Sequence, residues 1–286
     1  GWFAHTNGAL PEPAGAVPLQ GRWTGDDRLA RLHARMEDAA AAGVAGAAAL
    51  QRDTWSPRAA RVVPLLAHVR GATPAAEAAR AQLLAWDRHL EAGSVPAAVF
   101  VRLWSALAGR LARGRLSTDL ARLAVEAGLV PVVDALERPS AAWFDGTPVR
   151  TRDALLVAAL TEAAAPGEPR RLSFTHPLSV SAAVRERFDV GPLAWPGGPD
   201  ALNLAELAGE VRVGAAYRQG IDVGGWDGSV FINAPGQSGS ASSRHARDLA
   251  EPWASGATVP LRFGQETVAS GAEATLVLRP TAASRN

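Results

Sequence analysis

Cysteine and lysine are both absent from this chain of 286 residues. Without cysteine, the chain can form no disulfide, no thiolate metal site and no cysteine nucleophile. The 29 arginines nearly balance the 28 acidic residues. The formal net charge of +1 therefore produces no strong field that would draw the protein to nucleic acid or to a membrane surface. We expect neither as a partner.

Long apolar runs are missing as well, and no stretch of the sequence predicts a segment that crosses a bilayer. The chain shows neither an initiating methionine nor a signal peptide, and we expect it to be one piece of a longer, processed precursor. Its length suffices for one large domain or two small ones, and the apolar fraction of 48% is that of an ordinary globular protein.

Three familiar chemical signatures are also missing. Ser238 lacks the Gly-x-Ser-x-Gly spacing of a nucleophile elbow, because residue 240 is serine. The six histidines are scattered without zinc-site spacing. Neither standard phosphate-binding glycine loop occurs. We therefore assign Ser238 to loop packing and His176 to a structural role.

Helical periodicity dominates residues 24–165. Apolar residues recur three or four positions apart, and Ser, Thr, Pro and Gly mark where segments begin and end. We assign the aromatic and leucine residues on the apolar faces to the core. The pattern predicts helices over Arg58–Arg70, Ala75–Leu90, Ala97–Leu111, Ser117–Glu126 and Arg152–Ala164. Within Arg22–Met36 it predicts a helix that is capped by Thr24 or Asp26.

Residues 166–286 are richer in strand and loop signals. Val211–Asp222, broken by Gly214, and Val230–Asn233 flank a turn rich in Gly and Asp, which predicts a β-hairpin. With a strand and loop over residues 1–23, these regions predict an α+β chain in three parts. The remaining predictions are strands at Gly1–Thr6, Val259–Phe263 and Ala274–Arg279, and helices at Arg244–Ala254 and Gln265–Ala274.

A signature near the C-terminus connects these predictions to a known family. A hairpin strand runs into a Pro-Gly-Gln-Ser-Gly loop, then Ser-x-His, an Asp, a Trp and a Gly. In order, these are Pro235–Gly239, Ser243–His245, Asp248, Trp253 and Gly256. This order resembles the penicillin acylase (penicillin amidase) family, in the superfamily of N-terminal-nucleophile hydrolases. The resemblance spans essentially the whole chain and corresponds to the C-terminal part of the family's large (β) subunit.

The resemblance implies a fold and an activity. The fold is a partial αββα sandwich with a large helical region, from which the nucleophile-bearing segment is absent. The activity is hydrolysis of a linear amide, separating an acyl side chain from an amine through an acyl-serine intermediate. In this superfamily the nucleophile is the first residue of a self-cleaved chain. Gly1 has no side chain that could serve, so the resemblance implies a nucleophile on a segment outside this chain.

The resemblance assigns two candidate site residues, Asn7 and Arg28. By itself, Asn7-Gly8 would be a turn dipeptide and Arg28 a solvated residue of a first helical turn. The family segment Gly-aromatic-apolar-x-x-x-Asn carries an asparagine that helps to form the oxyanion hole, and Asn7 occupies that place. Arg28, preceded by Asp27 and by Trp23, matches the family's active-site arginine, which supports the geometry of the nucleophile and the asparagine.

No cofactor is predicted. Family members often hold a structural calcium through an Asp shortly before the tryptophan matched by Trp23. Ala16–Pro18 contains no carboxylate, and Glu12 is the nearest one. The partners that the resemblance implies are a small-molecule amide substrate and the remaining acylase segments, the α-subunit and the nucleophile-bearing part. It also implies a periplasmic or secreted protein, which the composition leaves open.

Two hypotheses remain at this point. In the first, the chain is part of an active acylase, whose substrate is a β-lactam, an acyl-homoserine lactone or a lipopeptide. In the second, it is a non-catalytic remnant or scaffold of the same fold that binds a partner. The presence of Asn7, Asp27 and Arg28 at the family's spacing favours the first for the parent protein. The missing nucleophile favours the second for this chain in isolation, which we expect to be inactive.

Overall fold

The structure, a computed structural model, describes residues 1–8, 17, 25–165, 171–174, 189–208, 210–215 and 217–279. It has the α+β composition that the sequence predicts. The helices are α1 (Asp27–Ala41), α2 (Gly43–Leu50), α3 (Pro57–Val62), α4 (Pro74–Ala85), α5 (Val95–Arg113), α6 (Thr118–Glu126), α7 (Val132–Glu137), α8 (Pro148–Ala163), α9 (Ala250–Ser255) and α10 (Gln265–Ser270). The strands are β1 (Arg171–Phe174), β2 (Val190–Ala194), β3 (Ala205–Ala208), β4 (Glu210–Gly214), β5 (Tyr217–Gly220), β6 (Val230–Asn233) and β7 (Val259–Pro260).

Three helices begin with a hydroxyl cap and a proline in the first turn. The side chains of Ser56, Thr73 and Ser94 accept hydrogen bonds from backbone N–H groups three residues later, at the starts of α3, α4 and α5. Each cap satisfies a donor that the helix itself leaves unpaired, and proline at these positions loses no helical bond. Local chemistry therefore accounts for where these helices begin.

The core of the helical region, here called the helical core, is aliphatic and centred on α5. This helix packs against α4, α6, α7 and α8, and its Leu103 and Leu107 are fully buried together with Leu156 and Leu160 of α8. By length and composition α5 could also cross a membrane, although the sequence was predicted to contain no such segment. However, 56% of its apolar window is buried inside the protein, as in a core helix.

The strands form two small sheets. The first has the order β2-β1-β4-β3, with β1 and β4 parallel and the outer pairs antiparallel. The second has the order β5-β6-β7 and is antiparallel. Its β5–β6 hairpin confirms the predicted turn, with Tyr217 opposite Asn233 and Gly220 opposite Val230. The predicted first strand, Val211–Asp222, is wrong in its extent, because its first half belongs to β4 in the other sheet. The αββα sandwich stays a prediction, because the described strands do not test it.

A second and smaller core, here called the tryptophan core, lies beside this hairpin. It consists of Trp195, Ala205, Ile232 and Trp253, all fully buried. The two indole rings stack with centroids 3.9 Å apart. Trp253 lies in α9 and Trp195 directly follows β2.

Two predicted strands are wrong. The segments Gly1–Thr6 and Ala274–Arg279 have no strand assignment in the structure. Phe3 is 87% exposed, and Leu276 and Leu278 are exposed to a similar extent. A strand exists only through a ladder of hydrogen bonds with a neighbour, and among the described residues neither segment pairs with one. The β-like alternation in these two segments is therefore not sufficient to form a strand in this chain.

Several helix boundaries also differ from the prediction. α1 runs from Asp27 to Ala41, so it begins directly after Asp26, one of the two predicted caps, and extends beyond Met36. Residues 18–24, including Trp23, lie outside the described residues. So do Glu12 and His176. α2 is alanine-rich and α7 has only 6 residues, so neither shows a helical period in the sequence. The predicted helix over Arg244–Ala254 divides into a 3₁₀ turn, Arg244–Ala246, and α9.

Candidate functional site

The two residues assigned by resemblance meet in the structure. Arg28 Nη2 donates a hydrogen bond to Asn7 Oδ1 over 2.7 Å. The two residues are 21 positions apart, and much of the intervening chain lies outside the described residues. The contact therefore depends on the tertiary fold rather than on local geometry.

This bond determines which way the Asn7 amide points. An arginine side chain has donors only, so the atom that it meets must be the amide oxygen. The Nδ2 group is then directed away from Arg28. Asn7 as a whole is exposed, so its amide is within reach of a ligand. A charge-assisted bond of this kind is stronger than one between neutral groups.

Arg28 is held in a low-dielectric position. It lies in the first turn of α1 and is 9% exposed. Burial, and secondly the neighbouring guanidinium of Arg58, lower the pKa of Arg28. An arginine starts from so high a pKa that it remains a cation at neutral pH. The site therefore presents a fixed positive charge next to the donor amide of Asn7.

Two ion pairs hold α1 on either side of Arg28. Asp27 Oδ2 lies 3.5 Å from Arg58 Nε, at the start of α3. One turn further along α1, Arg31 Nη2 lies 2.7 Å from Asp53 Oδ2. Both pairs are partly buried, so they are screened less than surface pairs. The sequence analysis recognised Asp27 by its place before Arg28, but it assigned no role to Arg31, Asp53 or Arg58.

Asn7 and Arg28 border a cavity of about 600 Å³ between residues 3–7 and the helices α1 and α2. Its walls include Leu32, Met36 and Leu50 from the helices. The cavity combines an apolar wall with a few polar groups, which is typical of sites for small molecules.

The C-terminal signature forms a loop structure of its own. The backbone N–H groups of Gln237 and Ser238 both donate to the carbonyl oxygen of His245. His245 Nδ1 lies 2.7 Å from Asp248 Oδ2. These contacts order the chain between β6 and α9, and they support the structural role predicted for Ser238. The histidine of the signature is thus paired with a carboxylate of the same loop.

The residues that the structure describes include no candidate metal site. No group of three or more His, Asp or Glu side chains there is arranged to hold an ion. The Ala16–Pro18 stretch at the family's calcium position lies largely outside this part of the chain. The prediction of no calcium site therefore stays a prediction.

Comparison with known proteins identifies the family to which this chain belongs. The sequence model of the family described as penicillin amidase matches residues 1–270, so the chain belongs to the penicillin amidase family. Among curated proteins it is similar to the penicillin acylase 2 proenzyme of Pseudomonas sp. (strain SE83). The two are 31% identical over 324 aligned positions, covering 98% of this chain and 41% of that protein. The chain thus spans about two fifths of the length of this relative.

Proposed function

We propose that this chain is part of an acylase that hydrolyses linear amides, in which Asn7 donates a hydrogen bond to the oxyanion of the tetrahedral intermediate. The single observation that carries the proposal is the bond from Arg28 Nη2 to Asn7 Oδ1. Membership of the penicillin amidase family supports an amidohydrolase. The orientation of Asn7 supplies what such chemistry needs, a donor fixed before the reaction begins.

The nucleophile in this proposal is a serine on a segment outside these 286 residues. The name of the relative, a proenzyme of which the chain covers 41%, supports the existence of such a segment. The serine hydroxyl attacks the amide carbon and its proton passes to the α-amino group of the same serine. The carbonyl oxygen becomes an oxyanion that accepts a hydrogen bond from Asn7 Nδ2. The proton that the α-amino group took from the serine hydroxyl then goes to the departing nitrogen as the C–N bond breaks.

The second half of the reaction repeats the same use of Asn7. Water attacks the acyl-serine ester, a new oxyanion forms at the same position, and the acid leaves as the serine regains its proton. Arg28 performs two tasks in both halves. It prevents the Asn7 amide from turning over, which would present an acceptor to the oxyanion. Its charge also lies close to the developing negative charge, in a partly buried position where the interaction is weakly screened.

The test uses the full-length protein that contains this chain, with a panel of acyl p-nitroanilides and N-terminal sequencing of the mature chains. Asn7→Ala should lower kcat by about 10²–10³-fold, the usual cost of one oxyanion donor. Arg28→Met should have a comparable effect because it frees the amide to turn. Arg122→Met is the matched control, since Arg122 lies on the surface in an i,i+4 pair with Glu126 and should leave kcat unchanged.

The two hypotheses give different results in this experiment. Activity together with a new N-terminal serine and a large loss in Asn7→Ala would establish the acylase. An unprocessed, inactive product would identify the chain as part of a scaffold. Full activity in Asn7→Ala would remove Asn7 from the oxyanion hole even if the protein is an acylase.

A further inference from the structure

The loop between β2 and β3, residues 195–204, connects the two cores of the molecule. The backbone N–H of Gly197 donates to the carbonyl of Leu90 over 2.8 Å, and that of Asn203 donates to the carbonyl of Asp53 over 2.9 Å. Gly197 has φ +98°, and a Cβ there would lie 1.9 Å from the carbonyl oxygen of Asn203. The loop can therefore turn so tightly only with glycine at that position. Trp195 of this loop belongs to the tryptophan core, and Ala201 packs in the helical core.

Asp200 is the buried carboxylate of this loop. It is 3% exposed, and its Oδ2 accepts hydrogen bonds from Ser56 Oγ at 2.6 Å and from the backbone N–H of Arg58 at 3.0 Å. A buried charge is tolerated only when it is hydrogen-bonded in this way. These bonds join positions 144 and 142 residues apart. Asp200 therefore fixes the start of α3, including the backbone of Arg58.

Arg58 connects Asp200 to the candidate site. Its guanidinium carbon lies 4.8 Å from the centre of the Trp104 ring, which restricts the side chain. Its Nε lies 3.5 Å from Asp27, the residue that precedes Arg28. The same loop is connected to α1 through a second set of contacts. The backbone N–H of Asn203 donates to the carbonyl of Asp53, and the side chain of Asp53 accepts a hydrogen bond from Arg31 of α1.

We infer that Asp200 is a positioning residue for the Asn7–Arg28 pair, acting through Arg58 and Asp27. The inference rests on the proposed function, since it concerns the alignment of the Asn7 donor. The α1 turn that carries Arg28 is held by the ion pairs of Asp27 with Arg58 and of Arg31 with Asp53. Both Arg58 and Asp53 are hydrogen-bonded to the loop of residues 195–204. Positioning errors well below the size of a side chain are costly in catalysis. Loss of Asp200 therefore changes the position of the Asn7 amide, although Asp200 makes no direct contact with Asn7.

The experiment measures kcat and KM in the full-length protein for Asp200→Asn, in the natural background and in combination with Asn7→Ala. Asparagine keeps the size of the side chain but replaces the charged acceptor of both hydrogen bonds by a neutral and weaker amide oxygen. We expect kcat to fall about tenfold or more while KM changes less than about twofold. In the Asn7→Ala background the same substitution should change kcat by less than about twofold, because the donor that it misaligns is gone.

Ser94→Ala is the matched control. It removes a helix cap elsewhere in the helical region, at the start of α5, and should leave kcat unchanged at a temperature where both variants are folded. If the effects of Asp200→Asn and Asn7→Ala simply multiply, Asp200 has only a structural role and the inference is overturned. The inference also fails if Ser94→Ala lowers kcat as much as Asp200→Asn does.

A second readout does not require activity. The side-chain amide signal of Asn7 in an NMR spectrum, assigned by its loss in Asn7→Ala, should shift in Asp200→Asn and stay in place in Ser94→Ala. If the full-length protein has no acylase activity, the proposed function fails, and this signal alone then decides whether Asp200 positions Asn7. An unchanged signal in Asp200→Asn would contradict the inference whatever the activity.

Discussion

The two cores of this molecule are built in different ways. The helical core consists of many buried residues, most of them aliphatic, and each contributes a small part of the buried apolar surface. They extend from Val62 and Leu66 near α3 to Leu156 and Leu160 in α8. In the described part of the chain, the tryptophan core has four buried members, and two of them are large aromatic rings. A core of many aliphatic residues spreads its burial over several helices. The tryptophan core depends on one stacked pair.

The tryptophan core also contains a buried cation, which the helical core does not among the described residues. Arg218 of β5 is 4% exposed, and its guanidinium lies 5.4 Å and 5.7 Å from the rings of Trp195 and Trp253. Its Nη2 donates to the carbonyl of Trp253, whereas its Nε and Nη1 find no partner in the part of the chain that the structure describes. Burial lowers the pKa of Arg218 to about 10. The attraction between cation and rings offsets part of that desolvation.

This difference makes a prediction about cooperativity. Removing one residue from a core of few residues should unfold the whole tryptophan core. Removing one residue from the helical core should lower its free energy of unfolding and leave it folded. Hydrogen exchange and chemical denaturation can distinguish the two cases, because they report on each region separately.

Trp253→Ala should have the largest effect on stability. Removing a fully buried tryptophan costs about 3–5 kcal/mol of unfolding free energy, and here it also removes the stacking partner of Trp195 and one ring beside Arg218. Hydrogen exchange should show lost protection at β5 and β6, with the amides of α5 still protected. Equal loss of protection in α5 would mean that the two cores unfold as one and would remove the distinction drawn here.

Leu103→Ala tests the helical core in the same way. Leu103 is fully buried in α5, so truncation should cost about 3 kcal/mol from lost burial and the cavity left behind. Urea denaturation followed at the helical circular dichroism signal should show a lower midpoint with an unchanged slope. A changed slope would indicate that the substitution alters the extent of unfolding and not only its free energy.

Ser56→Ala tests the connection between the two regions, and Ser94→Ala serves as its comparison. Both serines cap a helix, so each substitution should cost about 1 kcal/mol through the cap. Ser56 alone also donates to the buried carboxylate of Asp200, so Ser56→Ala should cost about 1–3 kcal/mol more. Denaturation curves for the two variants measure the difference directly. Equal costs would show that the bond to Asp200 contributes no net stability.

Glu77→Gln should have the smallest effect, confined to the helical region and dependent on pH. Glu77 accepts hydrogen bonds from Arg80 and from the backbone N–H of Gly71, and these bonds lower its pKa from 4.5 to about 2. A carboxyl whose pKa is lower in the folded state stabilises the protein above its unfolded-state pKa, and this contribution disappears as the pH falls towards about 2. Thermal denaturation should therefore show a small destabilisation at neutral pH that shrinks below about pH 4.5. A difference independent of pH would contradict this account.

Much of the helical region could be predicted from the sequence, because its signals are local. The serine and threonine caps before α3, α4 and α5 act on N–H groups three residues away, and the leucine spacing of α5 repeats within one helix. Penicillin amidase membership was also predicted, from the loop and strand motif around Pro235–Gly239, and the family match over residues 1–270 confirms it. The weakly patterned α2 and α7 were missed because neither shows a helical period.

The candidate site was predicted in part. Asn7 and Arg28 were identified from their place in the family pattern, and the structure brings them into contact. Arg58, Asp53 and Asp200 were not identified, because each acts through a partner far away in sequence. A buried aspartate after a Gly-Gly-Pro turn resembles many loop residues until its partner is known.

The amino-acid sequence by itself determined where most helices begin, where the β5–β6 hairpin lies, and to which family the chain belongs, since these depend on neighbouring residues or on a short ordered motif. Only the tertiary structure decided that Arg28 meets the amide oxygen of Asn7 and that Asp200 reaches Ser56 across 144 positions. It also decided that residues 1–6 and 274–279 form no strand. Hydrogen bonds between distant segments decide these features, and a local sequence pattern carries no information about which distant group will be the partner.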